Sequence, residues 1–178
     1  MTIPIFVSLY KCMVRSHLDY CCPVWSPYRR GDIATVEKVQ KKATKMIPAL
    51  KNLSHRDRLK ACNMSTLHYR RLRGDIIETY KILSGKYDAK LAPKFDLSGI
   101  QTTRGSDLRI FKTRSKYDLR KFYFTNRVVD AWNSLPNWIV TAYSTNTFKR
   151  RLDRYWQDQE IVYDFRVQLQ GTGSRSEC

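Results

Sequence analysis

The stretch DIATVEKVQKKATKMIP, residues 32–48, decides how the rest of the chain is read. Asp32 suits a helix start, and Pro48 enforces a stop. At about 100° per residue, Ile33, Val36, Val39, Ala43, Met46 and Ile47 fall within one arc. Lys38, Lys41, Lys42 and Lys45 fall on the opposite arc. This spacing predicts an amphipathic helix whose apolar arc docks on a core and whose lysines form a stripe in water. Like charges at i,i+3 and i,i+4 repel, and a purely solvating face usually intersperses Glu among them. Only Glu37 is present. The stripe suits an acidic partner; the plainer alternative is a solvated charged face.

Other helices are predicted on either side. Pro4 fits a first turn, in a helix reaching about Asp19 before Pro23 and Pro27. Ile5, Leu9, Met13 and Tyr20 recur at helical spacing, yet Phe6, Val7, Tyr10 and Val14 make other faces apolar. A helix apolar on several faces wants covering on several faces, which suggests a missing upstream portion. Downstream, Ser54 with Asp57 forms a variant capping box for a short helix. A longer helix begins at Ser65 or Thr66 and stops at Gly85. Its apolar stripe is Tyr69, Leu72, Ile76, Tyr80 and Leu83, with Arg70 and Arg71 directed elsewhere.

Residues 86–106, with Pro93, Gly99, Gly105 and two threonines, read as a linker. DLRIFKTRSKYDLRKFYF, residues 107–124, alternates basic and aromatic residues and predicts two short strands around a turn near Ser115. A helix follows from about Thr125, with Val128, Ala131, Trp132 and Leu135 on one face and Pro136 ending it. A last helix starts near Ser144, carrying Phe148, Leu152 and Trp156 at i, i+4, i+8. Residues 157–178 read as a fraying tail.

Charge is the dominant compositional feature. The 178 residues hold 33 Lys and Arg against 16 Asp and Glu, a net charge of +17. Such an excess favours a polyanionic partner, nucleic acid or an anionic membrane, over an acidic small molecule. The charge is clustered: between residues 37 and 73, eleven basic residues face two acids, Glu37 and Asp57. With 42% hydrophobic residues the chain can bury a core. Five cysteines at 12, 21, 22, 62 and 178 build no disulfide framework, which fits a reducing, intracellular compartment (nucleus or cytoplasm). The apolar N-terminus is interrupted by Lys11, Arg15, His17 and Asp19, so neither a signal peptide nor a membrane span is expected.

Catalytic chemistry finds little support. Cys12, His17, Cys21 and Cys22 have zinc-ligand chemistry, but Cys12 and Cys21 lie about 180° apart on a helix and no second pair closes the site. Buried structural cysteines are the expectation. Asp88, Asp96 and Asp107 stand alone in loops. No GxxxxGK[ST], GxSxG or HExxH motif occurs, nor the paired aspartates of two-metal phosphoryl transfer. No cofactor and no metal are expected. What remains is basic residues interleaved with aromatics: YRR at 28–30, HYRRLR at 68–73 and KYDLRKFYF at 116–124. Arg and Lys supply phosphate contacts, and exposed rings can stack on unpaired bases.

Several phrases occur together and in order: SLYKCMVRSHLDYCCPVWSPY, DIATVEKVQKKATKMIP, RLKACNMSTLHYRRLRGDIIETYKIL, TRGSDLRIFKTR, FYFTNRVVDAWNSLP and TFKRRLDRYW. Across about residues 8–156 this resembles the region after the polymerase palm in non-LTR (LINE-type) retrotransposon reverse transcriptases of the jockey and CR1-like group. The resemblance implies a helical thumb and a downstream connection, closing over a template–primer duplex. It places Lys38, Lys41, Lys42 and Lys45, with Arg70, Arg71 and Arg73, in the thumb-like part. The palm with its paired aspartates is not in this chain, so the resemblance implies an RNA-directed DNA polymerase remnant without catalysis of its own. Its implied partners are the backbone of an RNA/DNA duplex and a palm-bearing portion, not a membrane.

The resulting expectation is a mainly α fold. A helical thumb-like bundle at 1–85 and a linker at 86–106 precede a small connection region at 107–156, made of a β-hairpin and two further helices. The tail occupies 157–178. The alternative function is a non-catalytic structural fragment whose apolar first helix packs on an absent partner.

Overall fold

The computed structural model describes residues 2–88, 90–98 and 108–171. Parts of the expected linker (89 and 99–106), Asp107, and residues 172–178 with Cys178 lie outside the described residues. The fold is mainly α. The chain divides into two compact units, Met1–Leu72 with Gln159–Gln168 and Arg73–Asp158 with Leu169–Cys178.

In the first unit, α1 (Ile3–Leu9) starts with Pro4 in its first turn, where the missing N–H costs nothing. It runs through a π-helical segment (Tyr10–Arg15) into α2 (Ser16–Asp19). A short α3 (Cys22–Trp25) follows, entered through Cys21 in the left-handed region at φ 53°. Then come α4 (Arg30–Lys45) and a 3₁₀ turn, Pro48–Leu50. The next helix, α5 (His55–Ala61), is capped by Ser54, whose Oγ accepts from the Asp57 N–H at 3.2 Å. One core joins these pieces: Phe6, Val7 and Tyr10 of the first helix pack with Ile47, Leu50, Leu59, Cys62 and Met64. Of the three cysteines expected to be buried, Cys22 is, but Cys12 and Cys21 are exposed; Cys62 is buried as well.

The longest helix, α6 (Leu67–Leu83), crosses the boundary between the units after Leu72. Thr66 caps it, its Oγ1 accepting from the Tyr69 N–H. Gly85 follows its end at φ +66°, a conformation that spares only glycine the Cβ clash. No residue of α6 is fully exposed. Tyr69, Ile76 and Tyr80 of its predicted stripe are buried, and so are Arg71, Asp75 and Thr79.

Among the described residues the second unit adds α7 (Asp118–Lys121), α8 (Phe124–Arg127), α9 (Val129–Asn133), α10 (Asn137–Val140) and the longer α11 (Thr145–Tyr155). Val128, Ala131, Trp132 and Leu135 are all buried, as their spacing predicts, and so are Phe148, Leu152 and Trp156. Ser144 caps α11 through the Thr147 N–H at 3.1 Å. Phe148 lies between Tyr80 and Trp132, with ring centroids 4.2 and 6.0 Å away. The Asp75 carboxylate, nearly buried, is held by the Arg127 guanidinium through two bonds of 2.9 and 3.1 Å. A buried charge needs such a partner.

The expected β-hairpin over 107–124 is not formed. Among the described residues, β pairing is limited to one isolated antiparallel bridge, Leu97 with Ile110. The reason lies in competing partners. The Ile110 N–H donates to Asn133 Oδ1, and the Ile110 carbonyl accepts from Asn133 Nδ2, at 3.0 and 2.8 Å. An Asn side chain thus replaces the second strand. Residues 118–121 coil into α7 instead, with Asp118 favourably placed in its first turn.

The described part of the expected tail also differs. A 3₁₀ turn, Glu160–Val162, returns to the first unit. The Ile161 carbonyl accepts from Thr66 Oγ1 at 2.8 Å, and the Val162 carbonyl accepts from the Thr66 N–H at 2.8 Å. Ile161 is only 1% exposed. The reading as a fraying tail misses it because its partner Thr66 lies 95 residues away in the chain. Ile161→Ala is expected to destabilise the chain by about 2–5 kcal/mol, the cost of a cavity in a packed site. Urea denaturation measures this, and an unchanged midpoint would show that the segment contributes nothing to the core.

Candidate nucleic-acid interface

The four lysines of α4 reach solvent together. Lys38, Lys41, Lys42 and Lys45 are all exposed. Among the described residues, the ion pairs engage Arg15, Arg70, Arg73, Lys81, Lys112 and Arg127 and none of these four lysines. From Lys38 to Lys45 the stripe rises about 10 Å along the helix axis. That is roughly three phosphate spacings of one nucleic-acid strand.

The opposite face of α4 is not the apolar arc that its spacing predicts. Ile47 is buried and Ile33, Val36 and Ala43 are partly buried, but Val39 is exposed and Met46 is 71% exposed. Three polar residues take the interior instead: Glu37, Gln40 and Thr44. Each has a specific tie. Glu37 Oε1 accepts from the His68 N–H at 2.7 Å, satisfying a donor in the first turn of α6. Gln40 Nε2 donates to the Ser65 carbonyl at 3.1 Å. Thr44 Oγ1 accepts from Arg58 Nε at 3.2 Å. These bonds rotate α4 away from the pure hydrophobic solution. The helix begins earlier than read, with Arg29 at the N-cap position and Asp32 inside the first turn.

The three arginines are placed differently from the lysines. Arg70 donates to Asp19 Oδ2 from Nε at 2.9 Å and from Nη2 at 2.8 Å. Arg73 holds Asp153 through two bonds of 2.5 and 2.8 Å. Arg71 is 2% exposed, with its guanidinium 5.2 Å from the centroid of the Trp25 ring. None of its three nitrogens meets a hydrogen-bond acceptor. The structure thus brings the lysines onto one open surface and turns the arginines to carboxylates of the same chain and a ring. Arg suits that use, because its planar fork pairs with carboxylates and stacks on aromatics.

Around Arg71 lies a buried polar cluster that periodicity could not reveal. Glu37 Oε2, Gln40 Oε1 and the Tyr10 hydroxyl are also buried without a hydrogen-bond partner. Burial pushes the Glu37 carboxyl up to about 7, opposed by the His68 N–H and by the Arg71 charge. Burial lowers His68 too, and with the nearby Arg58 and Lys41 charges it brings His55 down to about 4. The only signal for this cluster in the sequence is Glu37 itself, the lone acid in a basic helix. Among the described residues no group of His, Cys, Asp and Glu is placed to hold a metal ion. No described helix is long and apolar enough to cross a membrane.

The signs of these titrations are opposed. Between about pH 4.5 and 7 the folded chain binds the Glu37 proton and the unfolded chain does not, so this contribution is lost as pH rises. The two histidines act oppositely: the unfolded chain binds their protons first, so their contribution is lost as pH falls below about 6.5. Glu37→Gln keeps an acceptor for the His68 N–H and removes only the carboxyl titration. Relative to the native protein it is expected to gain up to about 3 kcal/mol between about pH 5 and about pH 8. Urea midpoints against pH provide the measurement; a pH-independent difference between the two proteins contradicts the assignment.

Compared with family models, curated proteins and solved structures, the chain matches none.

Proposed function

We propose that this chain grips the phosphate backbone of a template–primer duplex, as a thumb-like part of a non-LTR reverse transcriptase. The observation that carries the reading is the exposed stripe of Lys38, Lys41, Lys42 and Lys45 on α4, with no carboxylate paired to it among the described residues. The net charge of +17 and the order of the sequence phrases support it. A charged, rigid helix face binds by backbone contact and shape, which suits an A-form duplex whose major groove side chains cannot read. In this reading Arg70 and Arg73 brace the helices through Asp19 and Asp153, and the lysines make the contacts. Polymerisation belongs to a palm-bearing portion, and this chain contributes hold without catalysis.

Replacing Lys38, Lys41, Lys42 and Lys45 together with Gln tests this. The fold should survive, since all four side chains are in solvent and Gln is a fair helix former. Affinity for duplexes of any sequence should fall. The slope of log K against log salt should flatten by up to roughly 3.6 units for four lost contacts to B-DNA. Unchanged affinity and slope in the folded variant would leave the stripe a solvated face.

A second reading, a structural fragment that docks a partner, is favoured by Ile5, Leu9 and Met13. These recur at i, i+4, i+8 on the first helix and are exposed while Phe6, Val7 and Tyr10 are buried. Deleting the helix would remove that core, so point substitutions are the proper probe. Changing Ile5, Leu9 and Met13 to Gln should reduce self-association and hydrophobic-dye binding while keeping the fold. A native protein that is monomeric and binds no dye sinks this second reading.

A further inference from the structure

A cleft of about 290 Å³ opens in the second unit, lined on one side by Lys94, Phe95 and Asp96 with Ile110, Phe111 and Thr113. Arg120, Tyr123, Thr125 and Asn126 complete it. Its size is at the low end of small-ligand sites, which run from about 300 Å³ upward. The cleft is built, not incidental. Asn126 is buried, and its Nδ2 donates to the Thr113 carbonyl at 3.1 Å and to the Arg120 carbonyl at 3.3 Å, tying two wall segments together. The Phe111 N–H donates to the Asp96 carbonyl at 2.7 Å, joining the third wall segment to that of Thr113. Phe95 packs edge-on against buried Phe124, 6.0 Å between centroids.

Two large rings at this cleft are left in solvent: Phe111 is 59% exposed and Tyr123 is 60% exposed. Burying them would have been favourable, and neither is used by the core. Lys94 and Arg120 are exposed, and the ion pairs among the described residues include neither. Arg114, Lys116 and Lys121 lie close in sequence and are also exposed. Rings for stacking and cations for a backbone are the two components of single-strand recognition. Asp96, which also lines the cleft, repels a bare phosphate but can accept from the exocyclic amine of a base.

We propose that this cleft holds an unpaired nucleotide of a single strand, with Phe111 and Tyr123 stacking on bases and Lys94 and Arg120 contacting phosphates. It is a second nucleic-acid site, separate from the α4 stripe and different in preference: unpaired strand here, duplex there. The inference does not depend on the lysine grip, because none of its residues lies on α4.

The test measures binding of a short labelled single strand of mixed cytosine and adenine, beside a duplex of the same length. The double variant Phe111→Ala with Tyr123→Ala should fold normally, since both rings are exposed. Its single-strand affinity should drop at least about fivefold, the lower end of one lost base–ring stack, with duplex affinity unchanged. Arg120→Gln, which leaves both rings in place, should flatten the single-strand salt dependence by about 0.7 units. If the double variant binds single strand as the native protein does, or loses both nucleic acids equally, the proposal is overturned. Absence of single-strand binding by the native chain also overturns it, whatever the duplex does. Ring-dependent single-strand binding without duplex binding upholds the cleft and rejects the lysine grip.

Discussion

The first unit depends on one carboxylate set against the start of one helix. Glu37 comes from the middle of α4, yet it completes the N-terminal turn of α6, accepting the His68 N–H in the interior. Together with the Gln40 and Thr44 bonds, this bond fixes the rotation of α4 about its axis. With Glu37 inward, Gln40 and Thr44 follow on the same face, and Lys38, Lys41, Lys42 and Lys45 are carried to the far side. The positive end of the α6 dipole favours the carboxylate there. Desolvation opposes it and lifts its proton affinity toward neutrality. The stripe on the surface and the acid in the core are therefore two ends of one geometric choice.

Charge is sorted by chemistry as well as by position. The guanidinium groups of Arg70, Arg73 and Arg127 each face a carboxylate, on Asp19, Asp153 and Asp75, and Arg71 rests over Trp25. The α4 lysines keep their charge in water. An ammonium is a compact, strongly hydrated ion on a flexible stem, poorly suited to burial but able to follow an irregular backbone. Basic residues that look equivalent in a net charge thus divide into scaffold and surface. Neither the total of +17 nor its clustering between residues 37 and 73 distinguishes the two.

Local chemistry was the legible part of the sequence. Ser54, Thr66 and Ser144 cap as their hydroxyls and spacing suggest, Gly85 follows the end of α6, and the Trp132 and Trp156 faces are buried. Each of these depends on neighbours within a turn or two. The misreadings share the opposite property. Ile110 pairs with the side chain of Asn133, Glu37 with a backbone 31 residues away, and Thr66 with a carbonyl 95 residues away. A periodic pattern carries no information about such partners. The lysine stripe was legible because exposure of like charges is the default. The burial of Arg71 was not, because the aromatic ring and the carboxylate that favour it come from other segments.

The return of residues 159–168 to the first unit has a consequence for how the chain is made. Leu72 leaves that unit and Gln159 re-enters it, so the whole of Arg73–Asp158 is synthesised before the unit can close. Until then the Thr66 hydroxyl lacks its Ile161 partner, and the surface that Ile161 covers is open to water. Closing a loop of this length costs entropy before any contact repays it, though the cost grows only slowly with length. Vectorial emergence from the ribosome therefore interleaves the two units. The first unit waits while Arg73–Asp158 is made, and the interval between Leu72 and Gln159 is the period in which its unfinished core is available to other chains.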